Sequence, residues 1–375
     1  MKIILVGPAY PYRGGIAAFN ERLAQQFIRE GHEVVLYTFT LQYPSFLFPG
    51  TTQYSTDPAP EGLTITRRIS SVNPITWLRA ARAMLQEKPD MVVFAYWMAF
   101  MAPCYTVMAR RLHHDRHVRT VGLIHNMVPH EPTLLDQLFA PRFVARMDAF
   151  VALSHSVVDD IARLDHQSKP IVLCPHPLYD NFGTPVSREE ALSHLGLDAT
   201  HRYVLFFGLI RDYKGLDLLM EAFADPRLAD VRLIVAGECY GSAEKYEALE
   251  QRLALTDHII WHRQFVPNDE VKHYFAAASI VAQPYRSATQ SGVTQIAYHF
   301  ERPMLVTNVG GLAEMVPDGR VGRVVSPDAP AIAEALVDFF ATNREAAFTQ
   351  GVHEEKAKYS WANMTAAISK CINTQ

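Results

Sequence analysis

The sequence predicts an α/β protein with two doubly wound parallel-sheet domains, and three observations lead to this fold class. A chain of 375 residues is longer than one ordinary hydrophobic core organises. In both halves, short apolar runs alternate with amphipathic stretches of helical length, which is the pattern of βαβ units. Between the halves, the proline- and glycine-containing stretch 176–198 interrupts this alternation and is typical of an interdomain linker.

The strands are placed by the apolar runs. The first half opens with a strand over Ile3–Val6, then a helix over Gly15–Glu30. Its further strands are predicted at Glu33–Thr38, Leu63–Arg67, Met91–Tyr96, Val118–Ile124, Ala149–Leu153 and Ile171–Cys174. The second half is predicted to contain strands at Tyr203–Phe207, Val231–Ala236, His258–Trp261, Ile280–Gln283, Met304–Asn308 and Gly322–Val325. Ligands of such sheets bind beyond the carboxyl ends of the strands, so we expect a site in a cleft where the two domains face each other.

Composition narrows the function classes. The net charge of -4 gives no general attraction for nucleic acid, so any phosphate site must be a local cluster of basic residues. The four cysteines form no CxxC pair, which argues against a disulfide framework or a zinc site. The apolar run before Pro8 is too short for a signal-peptide core. We therefore expect a cytoplasmic protein.

The uncharged stretch 91–109 allows two interpretations. Its length and the flanking Arg110 and Arg111 would suit a membrane contact. Against this, Pro103 interrupts it, and its first six residues form a β-rich run after a polar turn. We favour a buried strand that leads into a helix, with peripheral contact at the inner face of the membrane as the alternative.

Two cations follow the first strand of the second half. The strand ends at Gly208, and the loop LIRDYKG then carries Arg211 and Lys214 to the start of a helix. A guanidinium and an ammonium at a helix start suit the oxygens of a diphosphate. The alternative is a pair of solvated loop cations.

A second loop suited to phosphate follows the strand IVAQP. The small polar run Ser287–Gly292 opens a new helix, where the N–H groups of Ser291, Gly292 and Val293 would be free to bind an anion. An ordinary loop with a helix cap is the alternative. Two such loops on neighbouring strands of one sheet favour a shared anion site.

The first half offers a glycine pair and a histidine. Gly14 and Gly15 lie between the first strand and its helix, without a GxGxxG pattern or an acidic residue after the second strand, so a dinucleotide site is poorly supported. They could admit a diphosphate or an acceptor, or simply form a tight turn. His125 ends a strand and His130 follows it; each could bond a sugar hydroxyl, move a proton or be structural.

The segment order in the second half carries a resemblance to a known family. The chain reads VLFFGLIRDYKGLDLLMEAF, LIVAGE, FVPNDEVKHYFAAASIVAQPY and RPMLVTNVGGLAEMVPDGRVGRVV. This order resembles the GT-B glycosyltransferases of family 4 (group 1), and the resemblance covers essentially the whole chain. It implies two Rossmann-like domains, with acceptor binding by 1–180 and nucleotide-sugar binding by 195–358. The closing KYSWANM resembles the start of the family's last helix, which implies that 360–375 packs back on the first domain.

The resemblance also implies the roles of individual residues. Arg211 and Lys214 would bind the donor diphosphate, with Gly208 beside them, Gly15 would lie across the cleft, and His125 would contact the transferred sugar. Retention of anomeric configuration without a metal or other cofactor is implied too. Two fixed cations can stabilise a departing nucleoside diphosphate in place of a metal ion.

The chain departs from the family in its acidic residues. The family usually carries two glutamates, seven residues apart, after the QPY-type strand, whereas the chain has no acid between Ala282 and Phe300. The corresponding positions fall near Ala288 and Ile296. Gln290 and Gln295 lie close by, and their amides could hydrogen-bond hydroxyls but could not supply charge.

The function predicted from these features is transfer of a hexose from a UDP- or GDP-linked donor to a glycan or lipid-linked acceptor, in cell-surface polysaccharide synthesis. The apolar loop 43–50 is a candidate acceptor or membrane contact. One alternative is a degenerate subunit that binds sugar nucleotides without turnover. Another is a nucleotide-sugar epimerase of the same architecture.

Overall fold

The computed structural model describes residues 1–375 apart from 45–51, 56–57, 115–116, 128–133, 181, 289–290 and 374–375. The chain forms two compact units, the first comprising Met1–His176 with Trp361–Gln375 and the second Pro177–Ser360. Each unit is built on one parallel β-sheet flanked by helices. The predicted α/β class with two doubly wound parallel sheets is therefore confirmed.

The first unit contains a seven-stranded sheet in the order β3-β2-β1-β4-β5-β6-β7. Its strands are β1 (Lys2–Val6), β2 (Glu33–Leu41), β3 (Thr64–Ser70), β4 (Met91–Tyr96), β5 (Arg119–Ile124), β6 (Ala149–Ala152) and β7 (Ile171–Leu173). The helices between them are α1 (Gly15–Arg29), α2 (Pro74–Gln86), α3 (Ala102–Leu112), α4 (Leu134–Val144) and α5 (His155–Leu164). Helices on both faces explain why central strands such as β4 are apolar throughout.

The second unit contains a six-stranded sheet in the order β10-β9-β8-β11-β12-β13. Its strands are β8 (Arg202–Phe207), β9 (Val231–Ala236), β10 (Ile259–His262), β11 (Ile280–Gln283), β12 (Met304–Thr307) and β13 (Gly322–Val325). Its helices are α6 (Arg188–Leu195), α7 (Leu216–Ala222), α8 (Glu244–Arg252), α9 (Val271–Ala277), α10 (Gly292–His299), α11 (Ala329–Ala341) and α12 (Glu345–Lys356).

The last helix, α13 (Trp361–Asn373), belongs to the first unit and packs against α1, β5, β6 and β7. Its buried residues Trp361, Met364, Ile368 and Cys371 recur at spacings of three and four, which places them on one helical face. That face enters the core formed by Phe19 and its neighbours on the sheet.

The uncharged stretch 91–109 adopts the favoured form, the buried strand β4 followed by α3. Pro103 lies in the first turn of α3, where its missing N–H is not needed by the helix. Within the described residues, no helix is both long and apolar enough to cross a membrane.

The stretch 176–198, predicted as a linker, contains the packed helix α6. This helix contacts α9 and buries Ala191 and Leu192 in the core of the second unit. Its polar sequence hides this packing because only two of its eight residues are buried.

We expect Ile368→Ala to lower the free energy of unfolding of the first unit by about 2–5 kcal/mol, since it leaves a cavity in a closely packed core. The Ile368 side chain is fully buried. Urea denaturation followed by circular dichroism would measure the effect. Ala366→Ser, on the exposed side of α13, is the control and should cost less than about 1 kcal/mol. Equal losses in the two variants would contradict the packing of this helix.

Candidate functional site

The strand order of the second sheet reverses between β8 and β11, which are neighbours in the sheet but not in sequence. Loops that leave the carboxyl ends of two such strands diverge and leave a crevice, which is where ligands of doubly wound sheets bind. The loop after β8 carries Arg211 and Lys214. The loop after β11 leads to Ser291 and the start of α10. Both predicted phosphate loops therefore flank the switch point of this sheet.

Gly208 lies where these two loops meet. A Cβ added to Gly208 would lie 3.3 Å from Lys214 Nζ and 3.7 Å from Val293 Cγ2. The backbone of Gly208 has φ +89, a conformation that favours glycine. The β9 loop is equally close, since a Cβ on Gly237 would lie 2.1 Å from the Gly208 carbonyl oxygen. A side chain at Gly208 would therefore crowd the Lys214 ammonium.

Lys214 is a buried cation without a carboxylate partner. The residue is 8% exposed, and it forms no ion pair with any residue that the structure describes. Its Nζ lies over the ring of Tyr285, 5.5 Å from the ring centroid. Burial, reinforced by the nearby Arg211 guanidinium, lowers the pKa of Lys214 from 10.5 to about 8. An unpaired buried ammonium is costly unless an anion binds to it.

The cations around the Lys214 turn differ in their partners. Arg286 pairs with Asp217 through two hydrogen bonds of 2.7 Å, and Lys245 pairs with Asp212. Arg211, in contrast, is exposed and lies over the ring of Tyr240, 5.0 Å from the centroid, with no ion pair in the described part of the chain. The two cations predicted from sequence are thus the two that no carboxylate neutralises.

The start of α10 joins this cluster through Tyr285. The Tyr285 hydroxyl lies 3.3 Å from Ser291 Oγ, so its ring links the Lys214 ammonium to the helix start. Ser291 is the N-cap, and its side chain accepts no capping hydrogen bond. A Cβ on Gly292 would lie 3.1 Å from the Tyr179 ring. The structure therefore brings Gly208, Lys214, Ser291 and Val293 together.

The two glutamines predicted for donor binding, Gln290 and Gln295, are not among the described residues that the structure brings together around Lys214. Gln290 lies outside the described residues. Gln295 is 1% exposed, its Nε2 faces the Met315 sulfur at 3.7 Å, and its Oε1 is buried without a hydrogen-bond partner in the described structure. Ile296, which lies near the position of a family glutamate, is buried in the core. The structure thus places Gln295 among buried residues, and its role in donor binding stays a prediction.

In the first unit, His125 follows β5, and its ring meets the edge of Phe19 on α1, with 4.8 Å between the ring centroids. Burial, with a smaller contribution from His176, lowers the pKa of His125 to about 3, so the imidazole is neutral at physiological pH. Its Nε2 is buried and has no hydrogen-bond partner within the described structure. A neutral imidazole can donate or accept one hydrogen bond to a hydroxyl but carries no charge for catalysis. His130 lies outside the described residues.

Gly15 is the exposed first residue of α1, directly after Gly14, whose φ is +120. Four residues further along the same helix, Phe19 contacts His125. Gly15 and His125 therefore belong to one region of the first unit, at the ends of β1 and β5. Their position across a cleft from Lys214 remains a prediction.

The sequence did not predict the aromatic residues that surround Lys214 and Arg211 in the second unit. Tyr285 and Tyr240 lie under or beside the two predicted cations, and Tyr213 packs edge-on against Tyr285 at 6.1 Å. Each tyrosine lies in the segment that follows the carboxyl end of a strand. This position could have identified the tyrosines from the sequence, since the same position identified the two cations.

The chain is similar in sequence to known families of proteins. The family described as Glycosyltransferase Family 4 matches residues 13–179, and the family described as Glycosyl transferases group 1 matches residues 201–342. A D-inositol 3-phosphate glycosyltransferase of Mycolicibacterium gilvum is 29% identical over 235 residues, which cover 60% of the chain. The chain spans about half the length of that relative, 51%.

Solved structures resemble the chain over its whole length. Anabaena HepE in complex with UDP has a TM-score of 0.76 at 14% identity, with 100% of both chains covered. Sucrose-phosphate synthase from Thermosynechococcus elongatus has a TM-score of 0.73 at 18% identity, with 99% of this chain and 98% of that chain covered. These likenesses establish the GT-B fold. With the two family matches, the chain belongs to glycosyltransferase family 4, of the group 1 type.

We expect Gly215→Ala to be much more destabilising than Gly196→Ala. The two glycines share one backbone conformation, φ 65 with ψ 30 or 31. A Cβ on Gly215 would lie 2.0 Å from the Pro284 carbonyl oxygen, whereas a Cβ on Gly196 would meet nothing within 4 Å. The Gly196 variant isolates the backbone cost, about 1–2 kcal/mol. Equal losses in thermal or urea unfolding would show that the close approach to Pro284 is unimportant.

The lowered pKa of Lys214 makes stability depend on pH. Between about pH 8 and 10.5 the unfolded chain keeps a proton that folded Lys214 has lost, so this residue makes stability rise with pH. Because one pKa unit is worth about 1.4 kcal/mol, the protonated side chain costs the ligand-free fold about 3 kcal/mol at neutral pH. Lys214→Met should recover about this amount near pH 7 and lose this part of the pH dependence. Lys245→Met, which removes a paired cation, is the control and should not stabilise. A destabilised Lys214→Met protein would contradict the burial of an unpaired charge.

Proposed function

We propose that the chain is a retaining glycosyltransferase that transfers a hexose from a UDP- or GDP-linked donor to a glycan or lipid-linked acceptor. The observation that carries this proposal is the buried Lys214 ammonium, which no carboxylate neutralises and which lies beside Gly208 and the start of α10. A diphosphate supplies the missing negative charge at that position. The family membership and the UDP bound in the Anabaena neighbour support a nucleotide donor.

The cations would act on the leaving group. In the transfer, the bond between the anomeric carbon and the β-phosphate oxygen breaks, and its electron pair goes to the nucleoside diphosphate. The acceptor hydroxyl forms the new bond on the same face of the sugar and gives its proton to the departing phosphate. Lys214 and Arg211 would stabilise the charge that develops on the diphosphate, which is the task that a metal ion performs in other transferases.

Recognition of the sugar would rest on uncharged groups. The stretch 282–300 contains no carboxylate, so Ser291 and the backbone N–H groups at the start of α10 are the candidate contacts on the second unit. Neutral His125 would add a hydrogen bond from the first unit. A donor site of this kind recognises hydroxyls through dipoles alone, without a charged acceptor.

The acceptor is proposed to bind the first unit near the carboxyl ends of β2 and β4. Tyr43 stacks on Phe100 at 6.1 Å, and its hydroxyl accepts a hydrogen bond from Trp97 Nε1 at 2.8 Å. Aromatic faces of this kind pack against sugar rings or lipid chains. The loop residues 45–50, which the sequence predicts as an acceptor or membrane contact, lie outside the described residues.

A degenerate, non-catalytic binding subunit is the second candidate function. The observation that favours it is that the stretch 282–300 contains no acidic residue. A nucleotide-sugar epimerase would need a general base beside the sugar, and this stretch supplies no carboxylate for that role. The two candidates differ from the transferase in what they do to a donor. Only the transferase releases nucleoside diphosphate when an acceptor is added.

The test is to incubate the full chain with a panel of UDP- and GDP-sugars and candidate acceptors and to follow release of nucleoside diphosphate. We expect acceptor-dependent release, with the anomeric configuration of the donor retained in the product by NMR. Lys214→Ala should weaken nucleotide binding by about 100-fold, because it removes the charged group that meets the diphosphate. Lys245→Ala, a nearby cation with its own carboxylate, is the control and should bind like the wild type.

The possible results separate the candidates. Tight nucleotide binding without turnover on any acceptor would identify the degenerate subunit, and interconversion of the sugar without an acceptor would identify the epimerase. Equal nucleotide affinity in wild type and Lys214→Ala, with both proteins folded, would remove the diphosphate role.

A further inference from the structure

Arg286 makes four polar contacts with the segment that carries Lys214. Its Nη1 and Nη2 each donate to one oxygen of Asp217 at 2.7 Å, and Nη1 also donates to the Asp212 carbonyl at 3.1 Å. The backbone N–H of Arg286 donates to the Tyr213 carbonyl at 2.7 Å. These contacts hold the first two residues of the 3₁₀ turn Asp212–Lys214 and the first turn of α7.

Arg286 itself belongs to the other loop of the site. It follows Tyr285, whose ring lies under the Lys214 ammonium, and it precedes the segment that runs to Ser291. Pro284, one residue earlier, presents its carbonyl to Gly215 at a distance that leaves no room for a Cβ. The loop after β11 therefore grips the turn after β8 through three consecutive residues, 284–286.

The ion pair between Arg286 and Asp217 is too exposed to contribute much to the free energy of unfolding. The side chains of Arg286 and Asp217 are 42% and 39% exposed, and exposed ion pairs usually contribute less than about 1 kcal/mol. What distinguishes this pair is its geometry, since a bidentate fork fixes orientation as well as distance. A rigid connection matters at this point because Lys214 must be held inside the protein while it is charged.

We propose that Arg286 and Asp217 are positioning residues, which lock the Lys214 turn against the loop that leads to Ser291 so that both loops meet one diphosphate. The inference rests on the proposed nucleotide-binding function of this site. Without the lock, the turn would relax outward, Lys214 would become solvated, and the ammonium and the α10 start would no longer converge. Neither Arg286 nor Asp217 needs to touch the nucleotide.

Arg286→Ala tests the proposal through the affinity for UDP and GDP, measured by isothermal titration calorimetry on the full chain. We expect affinity to fall by about tenfold, as for loss of a preorganising contact worth about 1.4 kcal/mol. In turnover assays the KM for the donor should rise more than kcat falls. Arg227→Ala is the control, because Arg227 is also an exposed arginine that forms a two-bond fork with an aspartate, Asp225, elsewhere in the same unit. It should bind nucleotide like the wild type.

The pH dependence of binding gives a readout that simple destabilisation would not change. In the wild type, affinity should fall about tenfold for each pH unit above the Lys214 pKa of about 8, as the ammonium loses its proton. In Arg286→Ala, a solvated Lys214 would keep its proton to higher pH. The loss of affinity between about pH 7 and about pH 9 should therefore shrink, although the affinity near pH 7 is lower.

The Asp217 variants complete the test. The double variant should lose about as much affinity as Arg286→Ala alone, and Asp217→Ala slightly less, since it removes the fork but leaves the bond from Arg286 to the Asp212 carbonyl. If folded Arg286→Ala bound nucleotide with wild-type affinity and lost affinity at alkaline pH as the wild type does, the positioning role would be overturned. Weak nucleotide binding by Lys214→Ala in the same assay would then leave the proposed function standing. If Lys214→Ala also bound like the wild type, the proposed function itself would fail.

Discussion

The second unit is organised around an ammonium group that is buried without a counter-ion among the residues that the structure describes. Arg286, on the loop after β11, and Lys245, on α8, both contact the Lys214 turn or the helix after it and are matched to carboxylates, whereas Lys214 lies against the face of Tyr285. Such an arrangement costs the ligand-free fold stability, and the surrounding structure must hold it in place. An anion bound beside Lys214 would offset this cost, and the proposed nucleotide binding would then be coupled to the integrity of the crevice.

Backbone contacts make this arrangement possible. Gly208, Gly215 and Gly237 each lie so close to a neighbouring group that a side chain would collide with Lys214 or with a carbonyl oxygen. The loops after β8, β9 and β11 therefore approach one another through backbone atoms, at distances that leave no room for a side chain at Gly215 or Gly237. The glycines fix how closely the loops approach, while the ion pair between Arg286 and Asp217 fixes their orientation. Charge, close approach and orientation are supplied by different residues.

Much of the fold could be predicted because buried parallel strands must be apolar, and the apolar runs marked the strands that the structure describes to within a few residues. The cations of the site could be predicted because they follow a strand end. Contacts between distant segments could not: nothing in the sequence around Tyr285 or Arg286 shows that they meet the Lys214 turn. Gln295 shows a second limit of sequence-based prediction. It was chosen because it lies close to a glutamate position located by spacing from Pro284 and Pro303, but spacing does not give the direction of a side chain on α10, and the Gln295 side chain is buried.

The departure from the family pattern is therefore concentrated in one half of the site. In the proposed donor site, the half assigned to the diphosphate keeps its cations and its glycines, and the proposed role of Arg286 and Asp217 is to hold its two loops together. In the half assigned to the sugar, a buried isoleucine lies near one position of the family's usual glutamate pair, and the loop between β11 and α10 is free of carboxylates. A carboxylate accepts hydrogen bonds from sugar hydroxyls strongly, whereas serine and backbone N–H groups bind them more weakly and with other geometry. Affinity for the donor would then depend mainly on the nucleotide and its diphosphate, and selection of the sugar would depend on shape and on the neutral His125.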